Sequence, residues 1–229
     1  DAALRRAGAV RVRSFVELFS AAKCLASRYR PVGKRLAIIT NGGGPGVLAA
    51  DWISELGLEL AQLSPGTAEE LKKKLGPLAS TDGLIDLAED ASPECYTAAL
   101  EAAAKDSQVD GLLAIHSPKI GGDADAVAKT LAELRPKLRK PLLACWMGDA
   151  SVQAARKTLG EASVPNFRTP EAAVGAFSNI ASFYQNQQML LQTPPPLSTL
   201  AKPDIEGARL LIEGVLAERR NVLTEMESK

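Results

Sequence analysis

From Leu36 onward, short and continuously apolar runs alternate with stretches in which apolar residues recur every three or four positions. The runs are residues 36–40, 58–63, 111–115, 141–146 and 164–168. Each is too short for a helix, and those at 36–40, 111–115 and 141–146 lack the polar alternation of a half-exposed strand, so the set predicts strands buried on both faces. The intervening stretches predict helices. One follows the glycine-rich turn at 41–46 and is closed by Gly57, a residue suited to the position just past a helix end. Thr67 and Glu70 have the spacing of a capping box ahead of Leu71 and Leu75. Ser92 and Pro93 mark a helix start with Tyr96, Ala99, Leu100 and Ala103 on its inner face. Val127, Leu131 and Leu134, then Val152, Ala155 and Leu159, mark the next two helices. Thr169-Pro170-Glu171 opens a long helix carrying Val174, Phe177, Ala181 and Tyr184.

Buried strands that each feed a helix predict a parallel sheet covered on both faces. The expected fold is therefore an α/β, flavodoxin-like, doubly wound parallel five-stranded sheet over residues 31–192, with truncated flanking pieces at 1–30 and 193–229. In the first piece, residues 10–13 read as a short strand. Ser14 then opens a helix with Phe15, Leu18, Phe19 and Ala22 at helical spacing. In the last piece, residues 193–203 read as a proline-rich linker before an amphipathic helix at 205–218. Thr224 and Glu227 then form a capping box that opens a further helix, so both ends read as internal to a longer polypeptide.

Composition narrows the class. Among 229 residues there are 27 basic and 27 acidic side chains, which gives no electrostatic reason to expect nucleic acid or an anionic membrane as partner. No apolar run approaches the roughly 20 residues that cross a bilayer, and no secretory signal opens the chain. Cys24, Cys95 and Cys145 are far apart and His116 is the single histidine, so a zinc site and a disulfide scaffold are both disfavoured. These features point to a cytoplasmic protein.

Ligands of doubly wound sheets bind beyond the carboxyl ends of the strands. The corresponding loops are 41–46, the stretch around Asp86, 116–122, 146–149 and 168–171. In the first, Gly42, Gly43, Gly44 and Gly46 leave backbone N–H groups unobstructed at a helix start, with Pro45 where a donor is not needed. Phosphate binding by Asn41, Gly42, Gly43, Gly44 and Gly46 and a purely geometric βα turn both remain open at this point. The loop lacks the Gly-Lys-Ser/Thr of a nucleotide P-loop, and no acid ends the second strand to hold a ribose. Asp86, His116, Ser117 and Arg168 are further candidates for lining the site. For His116 the simpler reading is a strand-end histidine satisfied by its neighbours, and for Arg168 an exposed pair with Glu171. A Ser117–His116–Asp149 triad is disfavoured because strand neighbours point opposite ways and no nucleophile elbow is present.

Residues 38–48, Ile-Ile-Thr-Asn-Gly-Gly-Gly-Pro-Gly-Val-Leu, resemble the Asn-Ala-Gly-Gly-Pro-Gly loop of NDP-forming acyl-CoA synthetases, relatives of succinyl-CoA synthetase. Residues 2–12 resemble the end of the preceding ligase domain, and residues 223–229 the opening of an ATP-grasp domain. Ile115-His116-Ser117-Pro118, Arg168-Thr169-Pro170-Glu171 and Asn186-Gln187 look more like the synthetase-like part of bacterial GNAT-fused protein lysine acetyltransferases. The resemblance implies a phosphate-handling domain whose intact protein uses acyl-CoA, ATP or ADP and phosphate, with no tightly bound cofactor. The implied partners are CoA-binding and ATP-grasp domains of the same polypeptide, with a GNAT domain in the acetyltransferase reading and self-association also compatible. The family's mobile phosphorylated histidine lies upstream of Ala2, so His116 does not inherit its role. Its Asn-Pro-x-Asp stretch reads Gly83-Leu84-Ile85-Asp86 here, which keeps the acid and loses Asn-Pro. That departure suits a non-catalytic, acyl-CoA-sensing or assembly module, and a plain flavodoxin-like nucleotide or flavin binder stands as the third reading.

Overall fold

In the computed structural model, which describes residues 2–27, 33–119, 122–192, 204–224 and 226–228, the apolar runs form one all-parallel sheet. Its main path runs β2 (Glu59–Leu60), β1 (Arg35–Thr40), β4 (Gly111–His116), β5 (Leu142–Trp146) and β6 (Asn166–Phe167). The expected count of five is corrected to six by β3 (Ile85–Asp86), which pairs with β1. One side of β1 is thus shared between two short strands. Arg35 and Leu36 register with Glu59 and Leu60, and Ile39 and Thr40 register with Ile85 and Asp86. The amide of Leu87 then donates to the Thr40 carbonyl at 2.7 Å.

Alternate residues of each strand serve opposite faces. Ala37, Ile39, Leu112, Ala114, Leu142 and Ala144 meet α4 (Pro65–Lys74), α5 (Pro93–Lys105), α6 (Ala124–Leu134) and α7 (Gln153–Glu161). Leu36, Ile38, Leu113, Ile115, Leu143 and Cys145 meet α3 (Gly43–Glu55) and α8 (Pro170–Leu191), with Cys24 of α2 (Phe15–Ala26) closing the layer. On α5, Pro93 stands in the first turn and Tyr96, Ala99, Leu100 and Ala103 are buried. The Tyr96 hydroxyl is satisfied by donating to the Ile115 carbonyl at 2.8 Å, and burial pushes its pKa above the usual value. Gly111 lets α8 lie close to the sheet, since a Cβ there would stand 2.3 Å from a ring carbon of Phe177.

At the opposite rim, Arg35 makes a bidentate pair with Asp110, with both Nε–Oδ2 and Nη2–Oδ1 at 2.9 Å. Beside it, Asp106 is only 4% exposed. Burial works to raise its pKa, but the amides of Gln108 and Ser64 and the Ser64 hydroxyl outweigh it and hold the value down to about 2.

Three local expectations are corrected. Residues 10–13 form no strand, because no neighbouring strand offers them an edge, and the Ala9 carbonyl accepts instead from the side-chain Nδ2 of Asn186. On α2 the helix is as expected and Ser14 caps it, but it packs through Ala21 and Cys24 and leaves Phe15 80% exposed. The start of α4 is set by Ser64 and Pro65 rather than by a capping box, and the Thr67 hydroxyl bonds that of Ser64 at 2.8 Å. The expected linker at 193–203 lies outside the described residues.

The chain divides into two compact units, Asp1–Leu191 and Gln192–Lys229. The first contains α1 (Ala2–Arg6), which lies against α8. The second contains α9 (Ile205–Ala217), capped by Asp204, whose carboxylate accepts from the Gly207 amide at 2.8 Å. Thr224 and Glu227 exchange the reciprocal bonds of a capping box. No helix among the described residues is long and apolar enough to cross a membrane.

Candidate functional site

The strand order reverses between β1 and β4, the switch point at which doubly wound folds open a crevice. Asn41, one residue beyond β1 and 3% exposed, spans that point. Its Nδ2 donates to the Ser117 carbonyl at 3.0 Å, and the Ser117 amide donates to its Oδ1 at 2.7 Å. The Asn41 side chain is thus committed to tying the two loops together, and it leaves ligand contacts to the backbone.

Within the glycine loop the N–H groups have separate fates. The Gly42 amide donates to Thr40 Oγ1 at 3.0 Å, and the Gly46 amide closes the first helical turn on the Gly42 carbonyl at 3.3 Å. Pro45 has no N–H. The unspent donors are therefore those of Gly43 and Gly44, at a helix start whose residue Gly42 provides no side-chain cap. Close packing explains two of the glycines. A Cβ on Gly42 would stand 3.1 Å from Ser117 Oγ, and one on Gly46 would stand 3.0 Å from Thr40 Cγ2. Gly44 has open space in front of it.

The Thr40–Asp86 register sets a carboxylate beside these donors. Asp86 Oδ1 accepts from the Ala88 amide at 3.0 Å, while Oδ2 lies 3.2 Å from where a Gly43 Cβ would be. A cleft of about 530 Å³ opens here, lined by Asn41, Gly42, Gly43, Asp86, Glu89 and Asp90 among others. A neighbouring cleft of about 690 Å³ is bounded by Ser92 and Pro93 at the start of α5, His116, Lys119 and Asp123. Lys119 is held by Glu89 at 2.6 Å, so the mouth of the site is acidic around a core of donors.

His116 is 4% exposed and stacks on Trp146 with ring centroids 5.3 Å apart. Its Nδ1 has no hydrogen-bond partner. Burial pulls its pKa below the usual value, partly offset by Asp123, so the ring is neutral near pH 7. Ser117 Oγ instead meets Met147 Sδ at 3.8 Å, and Asp149 pairs with Arg168 at 3.4 Å. The three members of the disfavoured triad therefore do not converge. The expected Arg168–Glu171 pair is replaced by this Arg168–Asp149 pair, in which Arg168 is 71% exposed. Among the described residues no cluster of His, Cys, Asp and Glu is arranged to hold a metal ion. Burial pushes the Cys145 thiol up to about 12, which removes it as a nucleophile.

Arg156 was not singled out from the sequence. Its guanidinium donates to the carbonyls of Trp146 and Gly148 and pins the loop after β5. Its place on a polar helix face gave no signal of that role.

The profile of the ligase-CoA domain family matches residues 36–186. The chain is 34% identical over 182 residues to acetate–CoA ligase [ADP-forming] I of Archaeoglobus fulgidus, covering 80% of this chain and 25% of the relative. It is 32% identical over 182 residues to the alpha subunit of acetate–CoA ligase [ADP-forming] II of Pyrococcus furiosus, covering 77% of this chain and 39% of that subunit. Among solved structures, the dinucleotide forming acetyl-coenzyme A synthetase 1 of Ca. Korarchaeum cryptofilum, in complex with phosphate and ADP, superposes with a TM-score of 0.77 at 26% identity. That match covers 88% of this chain and 43% of the other. The chain thus spans less than half the length of these relatives.

Proposed function

The chain belongs to the ligase-CoA domain family, and we propose from that premise that it is the phosphate-handling domain of an NDP-forming acyl-CoA synthetase-like protein. In this reading the free amides of Gly43 and Gly44 hold a phosphoryl group while it passes between an acyl-CoA site and a nucleotide site. CoA-binding and ATP-grasp domains of the same polypeptide, before residue 31 and after residue 192, complete the machinery.

The observation that carries the reading is the division of labour in the glycine loop. Thr40 Oγ1 takes the Gly42 amide, the Asn41 side chain is tied to Ser117, and the amides of Gly43 and Gly44 are left as donors on a positive helix end. Asp86, Glu89 and Asp90 at the rim weaken standing affinity for phosphate, which suits a station in a transfer better than a trap. The expected affinity of this chain for inorganic phosphate is millimolar, on the order of 4 kcal/mol.

A phosphate titration followed by amide NMR tests the reading. Shifts concentrated at Gly43 and Gly44 support it, and no shift at either amide up to high millimolar phosphate refutes it.

A second reading, a non-catalytic acyl-CoA-sensing or assembly module of a protein lysine acetyltransferase, is favoured by the backbone at Gly83. Its φ of +82° is left-handed, whereas a residue before proline is driven to extended conformations. In this second reading, the loss of Asn-Pro goes with a left-handed turn at Gly83 on the way into Asp86. Robust ATP formation from acetyl-CoA, ADP and phosphate by the intact polypeptide would refute this second reading and leave the first.

A further inference from the structure

A cleft of about 480 Å³ lies on the α2–α3–α8 side of the sheet, away from the glycine loop. Arg5, Arg11 and Arg13 reach it from the N-terminal segment, Trp52 and Leu56 from the far end of α3, and Asn179 from α8. Two carboxylates, Glu17 and Glu171, line the same cleft as these guanidinium groups. Glu17 is already engaged by the backbone amide of Arg13.

We propose that this cleft is a second ligand site, which takes an adenine nucleotide or another phosphate ester carrying a planar ring. Guanidinium groups match phosphate oxygens in pairs and hold their charge at every working pH. Trp52 is 38% exposed, an amphipathic ring at the wall of a concave site and available to stack on a heterocycle. Asn179 supplies an independent sign of an absent partner, because its amide nitrogen is buried without an acceptor. A small turn of that side chain offers the ring edge of a ligand both a donor and an acceptor. The volume falls in the range of ordinary small-molecule sites, roughly 300–1,000 Å³. The proposal does not rest on phosphate binding at Gly43 and Gly44, neither of which lines this cleft.

Trp52 also provides the readout. Trp146 is fully buried, so a ligand in the cleft quenches Trp52 fluorescence selectively. ATP, ADP, AMP, CoA and inorganic phosphate are titrated separately into the protein, with calorimetry in parallel. The expected result is saturable quenching by at least one adenine-bearing compound, with at least tenfold weaker binding in Arg13→Gln or Arg5→Gln. Asn41→Ala, which alters the glycine loop, leaves that affinity unchanged. A preference for CoA over ATP identifies the ligand as the nucleotide portion of CoA, and the reverse identifies a free nucleotide. Either supports the proposal. Equal binding of phosphate alone, loss of binding in Asn41→Ala but not in Arg13→Gln, or no binding of any probe overturns it. Quenching of Trp52 by that adenine-bearing compound with unchanged affinity in Arg5→Gln and Arg13→Gln together also overturns it.

Discussion

Replacing Asn41 with alanine removes the link across the switch point and leaves two groups of Ser117 without partners, its N–H and its C=O. Each lost bond subtracts about 1 kcal/mol, and each unsatisfied buried group costs about 1–3 kcal/mol. The adjoining cleft admits water to part of this surface, so the lower end of that range applies and the expected loss is about 2 kcal/mol. For a unit of this size that lowers Tm by roughly 4–8 °C. Urea denaturation monitored by Trp146 fluorescence gives the stability, and a phosphate titration of the variant gives the site. Both should fail together, because the turn that holds Gly43 and Gly44 in place is anchored through Asn41. A loss under about 0.5 kcal/mol, together with an unchanged phosphate response at those amides, would refute the view that this side chain fixes the loop.

Three more outcomes follow from the same structure. Gly111→Ala forces a methyl against the Phe177 ring and should cost about 1–3 kcal/mol, and adding Phe177→Leu should recover part of it in a double-mutant cycle by chemical denaturation. Asp106 has a folded pKa near 2, below its unfolded value of about 3.9. It therefore contributes roughly 2 kcal/mol of stability that is complete above about pH 4 and lost as pH falls towards 2, and Asp106→Asn should flatten acid denaturation across that window. His116 has a folded pKa below its unfolded value of about 6.5, so its contribution is complete above that pH and declines as pH falls through the folded value. Its ring should titrate below 6.5 by nitrogen-detected NMR, and a midpoint above 6.5 would contradict the buried stack on Trp146.

The parallel layers were legible because strands buried on both faces must be apolar throughout, as residues 36–40, 111–115 and 141–146 are. β3 was not legible, since Ile85–Asp86 is too short to carry a period and its pairing depends on where β1 has room for a neighbour. The choice between Ser64-Pro65 and Thr67-Glu70 as the start of α4 turned on tertiary contacts, because the Ser64 hydroxyl and amide are both drawn to Asp106. On α2 the spacing gave the helix correctly, but an apolar stripe does not say which side meets the core, and the small side chains of Ala21 and Cys24 allowed the closer approach. At the candidate site, residue types placed Asn41 and the glycines together. Which amides remained free depended on Thr40 Oγ1 and on Ser117, 76 positions downstream of Asn41, and no local pattern encodes that.

The lateral margins of the sheet bear on how the protein behaves in a crowded solution. β2 and β6 each contribute only two paired residues, and β3, which shares a side with β2, adds two more. Among the described residues no margin presents a long row of unpaired strand residues on which a strand from another molecule could be templated, although the interior of the sheet is rich in the β-branched and aliphatic side chains that favour fibrils. The most extended and apolar strands, β1, β4 and β5, are all interior. Short margins of this kind offer little backbone for self-recognition, so they work against edge-to-edge association between copies.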